Sequence, residues 1–141
     1  MDRFDLDAFL PYRLAVTAGR VSRDFAREYR RFGLGRGEWR LLAHLGRARG
    51  APVSVREVAE AADMEKSRVS RAAGRLERRG LVAKAANPSD RRLIDLTLSP
   101  EGRTLLDTLE PIASAYDRRL RDALGGDADA LDRALSALAR D

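Results

Sequence analysis

Arginines dominate the chemistry available to this chain. Residues 66–79 read KSRVSRAAGRLERR. Ser67 or Arg68, then Arg71 and Arg75, fall on one side of a helix, because residues three and four apart share a face. Val69, Ala72, Ala73 and Leu76 fall on the other side with the same period. A guanidinium presents five N–H donors in a planar fork, which suits phosphate oxygens or the paired acceptors of guanine. The chemistry on offer is recognition of a polyanion rather than making or breaking bonds.

Other chemistries are poorly supplied. The sequence has no cysteine, which removes disulfides, zinc–thiolate sites and thiol redox sensing together. Its one histidine, His44, cannot build a metal site of ordinary affinity alone. No G-x-S-x-G nucleophile motif occurs. The GLGRG run at 33–37 lacks the preceding strand and the Lys-Ser/Thr ending of a phosphate loop. No enzyme, metal or cofactor is expected.

The elements around the arginine run position it. Ser54 followed by Glu57 is a capping box that starts a helix, and Val55, Val58, Ala59 and Ala62 give it an apolar stripe. Ala62, Asp63 and Met64 make a turn, with Asp63 expected to N-cap the arginine helix. After Gly80, Leu81, Val82 and Ala83 begin a strand, and Asn87, Pro88, Ser89 and Asp90 are turn formers. Ile94, Leu96 and Leu98 alternate with Leu93, Asp95 and Thr97, the two-residue period of a second strand. Helix, turn, helix and a hairpin with Arg91 and Arg92 at its tip make a winged helix. Residues 67–92 hold eight cationic and two anionic side chains, although the whole chain is only +5. The positive charge is therefore concentrated in this unit, as on a nucleic-acid face.

These residues resemble the MarR family of bacterial transcriptional regulators. The resemblance lies in SVREVAE, KSRVSR, LERRGLV, DRR and LSPEG in that order, and is strongest from about Trp39 to Gly102. It implies a winged-helix homodimer that binds a palindromic operator in double-stranded DNA and releases it when a small molecule binds. Carried over by position, Ser67, Arg68, Arg71 and Arg75 fall where the family reads the major groove. Arg71 and Arg75 are expected at base edges, with Arg68 and Lys66 on phosphates. Arg91 and Arg92 fall at a wing tip that enters the minor groove, and Asp90 matches an acid that braces the wing through an ion pair. Effectors of this family are often aromatic acids or phenols, and Tyr12, Arg13, Trp39 and His44 are the residues expected to line such a crevice. Ser99 replaces a commoner threonine, and still offers a hydroxyl cap with Pro100 at the first helical position. The absence of cysteine excludes the thiol oxidation switch that some members use.

The flanks are helical. Residues 11–32 carry Leu14, Ala18, Val21, Phe25 and Tyr29 as a stripe, and residues 36–48 carry Trp39, Leu42 and Leu45. Leu105, Leu109, Ile112, Tyr116, Leu120 and Leu124 line a long helix that contains Pro111, where a kink rather than an end is expected. Gly125 and Gly126 close it, and Asp127 is expected to cap a last helix with Leu131, Ala134, Leu135 and Leu138. Phe4, Leu6, Phe9 and Leu10 are too apolar for a solvated tail. The fold expected is mainly α with a small β-wing. A winged helix-turn-helix core at 36–99 is flanked by dimerisation helices at 1–32 and 100–141. No apolar run approaches the roughly 20 residues of a membrane span, and the acidic start MDRFDLDAFL lacks a signal-peptide pattern, so a cytoplasmic protein is expected. The alternative function for such a fold is a protein-interaction module without sequence-specific DNA binding.

Overall fold

The computed structural model of the chain describes residues 3–140. A 3-10 turn at Leu6–Ala8 leads into α1 (Leu10–Arg30) and α2 (Arg36–Arg47). Then come β1 (Val53–Ser54), α3 (Val55–Ala62), α4 (Lys66–Arg78), β2 (Val82–Ala86), β3 (Ile94–Leu98), α5 (Pro100–Leu124) and α6 (Asp127–Leu138). The chain forms two compact units, Met1–Asp107 and Thr108–Asp141, and α5 contributes to both.

In the first unit the apolar side of α4 is shut away from water. Val69, Ala72, Ala73 and Leu76 are each at most 1% exposed. Leu41, Leu42 and Leu45 of α2 and Val58 and Ala59 of α3 are buried too, and the three helices pack against one another. Each fully buried leucine or valine contributes about 1.5–3 kcal/mol over an exposed one. The small Ala72 and Ala73 allow the helix axes to approach. The sheet has the antiparallel order β1-β3-β2, with Val82 opposite Leu98 and Ala86 opposite Ile94. Leu96, fully buried, pairs with Val53 of β1. This two-residue strand extends the expected hairpin to three strands. The winged helix-turn-helix is therefore present, mainly α with a small β-wing.

The helix ends explain the LERRGLV and LSPEG words. Gly80, at φ +74°, ends α4. Its amide bonds to the Glu77 carbonyl and the Leu81 amide to the Leu76 carbonyl, each at 2.9 Å, which is a Schellman motif. The start of α5 then grips this exit. The Ser99 hydroxyl donates to the Gly80 carbonyl at 2.5 Å, and the Ser99 amide donates to the Leu81 carbonyl at 3.0 Å. The same hydroxyl caps α5 by accepting from the Gly102 amide at 3.0 Å. Gly102 lies so close to the Leu81 carbonyl that an added Cβ would overlap it.

Two caps differ from expectation. Asp63 does not N-cap α4. It ends α3 in the left-handed region (φ 51°, ψ 53°), which aspartate tolerates, while Glu65 stands at the α4 N-cap without a side-chain bond. Asp127 is the first residue of α6 rather than its cap, which is Gly126. There it places a carboxylate in the first turn with Asp129, where the helix dipole favours it. In the second unit α5 continues through Pro111, and Leu131, Leu135 and Leu138 of α6 lie exposed. No helix among the described residues is long and apolar enough to cross a membrane.

Gly80→Ala meets open space but must adopt a positive φ, so it should cost about 1–2 kcal/mol. Gly102→Ala meets backbone and should lower the thermal midpoint more than Gly80→Ala. Thermal unfolding followed by circular dichroism checks the order.

Candidate nucleic-acid interface

The residues α4 leaves in solvent are Lys66, Ser67, Arg68, Ser70, Arg71, Gly74 at intermediate exposure, Arg75, Glu77 and Arg78. Lys66 and Arg68 stand in the first turn, which holds no acidic residue of its own, just after Glu65 at the N-cap. Cations there cost stability locally and favour an incoming anion. Arg68, Arg71 and Arg75, with Arg36 at the start of α2, line a cleft of about 580 Å³ that Glu38, Asp63 and Glu65 also line. Sequence reading did not single out Arg36. Its signal was a basic residue opening a helix, which is unremarkable on its own.

Arg75, expected at base edges, is held by a carboxylate of another helix. Its Nε donates to Glu38 Oε1 at 2.9 Å and its Nη2 to Oε2 at 3.2 Å. Glu38 is 8% exposed and is the third residue of α2, in the first turn. Burial alone would raise its carboxyl. The Arg75 hydrogen bonds, with backbone amides of Glu38 and Gly35, outweigh burial and hold it below the usual carboxylate range. The Glu38 hydrogen bond in turn raises Arg75. Arg79, one turn on, is also committed. Its Nη2 and Nη1 donate to the carbonyls of Phe32 at 2.9 Å and Gly33 at 3.1 Å, just past the end of α1. Glu38 was missed because a carboxylate near a helix start normally explains itself by capping, and nothing local ties it to an arginine 37 residues away.

The wing tip is ordered by its own side chains. Asn87 Oδ1 accepts from the Ser89 and Asp90 amides, each at 2.9 Å, and its Nδ2 donates to the Asp95 carboxylate at 3.1 Å. Asp90 accepts from Arg92 Nε at 3.0 Å and Nη2 at 3.1 Å. Those bonds hold the Asp90 carboxyl below its ordinary value. An ion pair at Asp90 is thus present, and its partner is Arg92, one of the two arginines expected at the groove. Arg91 is exposed. Arg68, Arg71, Arg78 and Arg91 have no hydrogen-bonded or ion-paired side chain among the described residues.

Within one chain the four expected ligand residues do not meet. Trp39 stacks on Tyr29 at 6.0 Å and meets Phe25 edge-on at 5.2 Å, so it belongs to an aromatic cluster between α1 and α2. Tyr12 and Arg13 are exposed in the first turns of α1, about 20 Å along the helix from Phe25 at 1.5 Å per residue. His44 Nδ1 lies 3.1 Å from Arg47 Nη2. Arginine only donates, so Nδ1 accepts. Burial, then Arg47 and Arg40, push the imidazole down, which leaves it neutral near pH 7. Among the described residues no group of His, Cys, Asp and Glu could hold a metal ion.

The sequence profile of the MarR family matches residues 32–93. A MarR family transcriptional regulator of solved structure from Silicibacter pomeroyi DSS-3 is 32% identical. The alignment covers 97% of this chain and 99% of that one, with a TM-score of 0.78. This chain belongs to the MarR family. That family consists of transcriptional regulators, not enzymes. The transcriptional repressor CouR, solved bound to a 23-mer DNA duplex, is 28% identical over 99% of this chain and 100% of that one, with a TM-score of 0.81. The HTH-type transcriptional repressor MdtR of Bacillus subtilis (strain 168) is 44% identical over 50 residues, 36% of this chain. The match spans about a third, 32%, of that curated relative.

Glu38 has a lowered folded pKa, so its contribution is complete at neutral pH and is lost as pH falls through that folded value. Glu38→Gln should destabilise the protein by about 1–3 kcal/mol at pH 7. The gap to wild type should close in strong acid. Urea midpoints from pH 7 to pH 2 check this, and equal midpoints at pH 7 would contradict it.

Proposed function

We propose that this MarR family protein is a sequence-specific DNA-binding regulator that acts as a homodimer on a palindromic operator. The observation that carries the reading is the outer face of α4. Its cations stand exposed along a helix whose other side is fully buried. The CouR complex with duplex DNA, a relative of the same fold, supports the same role for this face.

Arg71 is the leading base reader. It is exposed and unpaired, and it lies on the same face as Ser67. Guanine is its favoured target, since O6 and N7 match the fork. Lys66 and Arg68 neutralise phosphates beside the α4 N-terminus. Arg91 extends the contact into an adjacent minor groove, and Arg92, held by Asp90, shapes the tip. Narrow A·T-rich sequence suits such an arginine.

Two copies are needed because one α4 reaches too few phosphates at physiological salt. A dimer presents two reading helices roughly 34 Å apart, one turn of duplex. Support for dimerisation comes from apolar side chains with no cover in a single chain. Phe4, Leu6, Phe9 and Leu10 are 44–73% exposed, and Leu131, Leu135 and Leu138 are 41–59% exposed. Segments 1–32 and 100–141 are the proposed dimerisation parts. Release by a small aromatic or phenolic anion is proposed from the family resemblance alone. Such a ligand would shift the population of spacings between the two reading helices.

Arg71→Ala should cost about 1–3 kcal/mol on a preferred duplex and flatten sequence preference, whereas Lys66→Ala should weaken every duplex alike. Fluorescence anisotropy on selected and random duplexes separates the two. Equal losses for Arg71→Ala on both duplexes would remove its assigned role. Leu135→Asp should shift the protein toward monomer in sedimentation velocity at micromolar concentration. An unshifted dimer would remove α6 from the interface.

A further inference from the structure

The Glu38–Arg75 pair ties α2 to α4 and also restrains an arginine of the exposed face. Arg75 spends two of its five donors on Glu38, from Nε and Nη2. Three N–H groups remain, both on Nη1 and one on Nη2. The Arg75 side chain is 47% exposed, against 10% for Glu38, and it lines the cleft together with Arg68 and Arg71. Glu38 itself is anchored by its burial in the first turn of α2. The carboxylate therefore does two things to Arg75. It holds a flexible four-bond side chain in one pose, on a residue that lines the cleft. It also offsets part of the charge that would otherwise attract any phosphate nearby.

We propose that Glu38 is a specificity-determining positioning residue, which turns Arg75 from a mobile counter-ion for phosphates into a directed donor that favours one register on the duplex. The proposal rests on the DNA-binding reading above. Its physical basis is the difference between two kinds of arginine contact. An unrestrained guanidinium gains nearly the same from any phosphate, and adds counterion release without sequence information. A guanidinium fixed in orientation gains only where an acceptor lies on its remaining edge. The neighbouring Arg68 and Arg71 have no such restraint, so among these three arginines the device is confined to Arg75.

The test uses the full-length protein, a duplex selected by wild type from a random pool, and a scrambled duplex of equal length. Both are titrated across a series of salt concentrations. For Glu38→Gln, binding to the scrambled duplex should strengthen. The slope of log affinity against log salt should steepen by about 0.9, the equivalent of one more phosphate contact. The ratio of selected to scrambled affinity should fall about tenfold, the loss of one directed contact. Arg75→Lys keeps the charge and loses the fork, so it should lower the ratio similarly, and combining both changes should add little. Thermal unfolding reports whether Glu38→Gln folds, and if it does not, Arg75→Lys decides alone. An unchanged ratio and slope in Glu38→Gln, or equal weakening on both duplexes, overturns the proposal and leaves the DNA-binding reading standing. An unchanged ratio in Arg75→Lys does the same. Wild type that binds neither duplex at low salt overturns the DNA-binding reading itself.

Discussion

A helix that must show cations to one side has to be fastened from the other, and here part of that fastening is ionic. The apolar side of α4 supplies burial, but three of its four core residues are small or β-branched, and an alanine contact resists sliding poorly. Glu38 supplies what burial lacks, a fixed distance between the start of α2 and the last turn of α4. Arg79 does the same for the end of α1, through the carbonyls of Phe32 and Gly33. Ser99 and Gly102 hold the exit of α4 against the start of α5. Three neighbouring elements thus grip the C-terminal end of one helix. The orientation of Arg71 follows from that grip.

The same arrangement changes the meaning of the charge count. Eight cations between residues 67 and 92 look like one basic surface. In the structure Arg75, Arg79 and Arg92 are bound within the chain, and Lys84 lies 3.9 Å from Glu77. Arg68, Arg71, Arg78 and Arg91 carry the accessible charge, with Lys66 at the helix start. A smaller set of unrestrained cations makes for fewer non-specific phosphate contacts and leaves discrimination to directed ones.

Much of this was legible in the sequence, and the boundary has a physical cause. Period and punctuation are local, so the faces of α3 and α4, the Ser54 capping box, the Gly80 stop and the hairpin after it could all be read. Cap assignments at Asp63 and Asp127 failed because an acid beside a turn serves equally well at a helix end or in a first turn. The two-residue β1 has no periodicity to read and exists only because β3 offers it an edge. Arg75 looked identical to Arg71 in sequence. Only the fold, by bringing Glu38 across 37 residues, distinguishes a held arginine from a free one. Tyr12, Arg13, Trp39 and His44 lie apart within one chain for a related reason, since composition names suitable groups but not the length of helix between them.

The account stands on paired α4 faces meeting one duplex, and hydroxyl-radical footprinting of the purified protein on its selected duplex tests that most directly. It predicts two protected patches on one side of the helix, with centres separated by one turn, about 10–10.5 base pairs. A single patch, or protection spread evenly along the duplex, would contradict it.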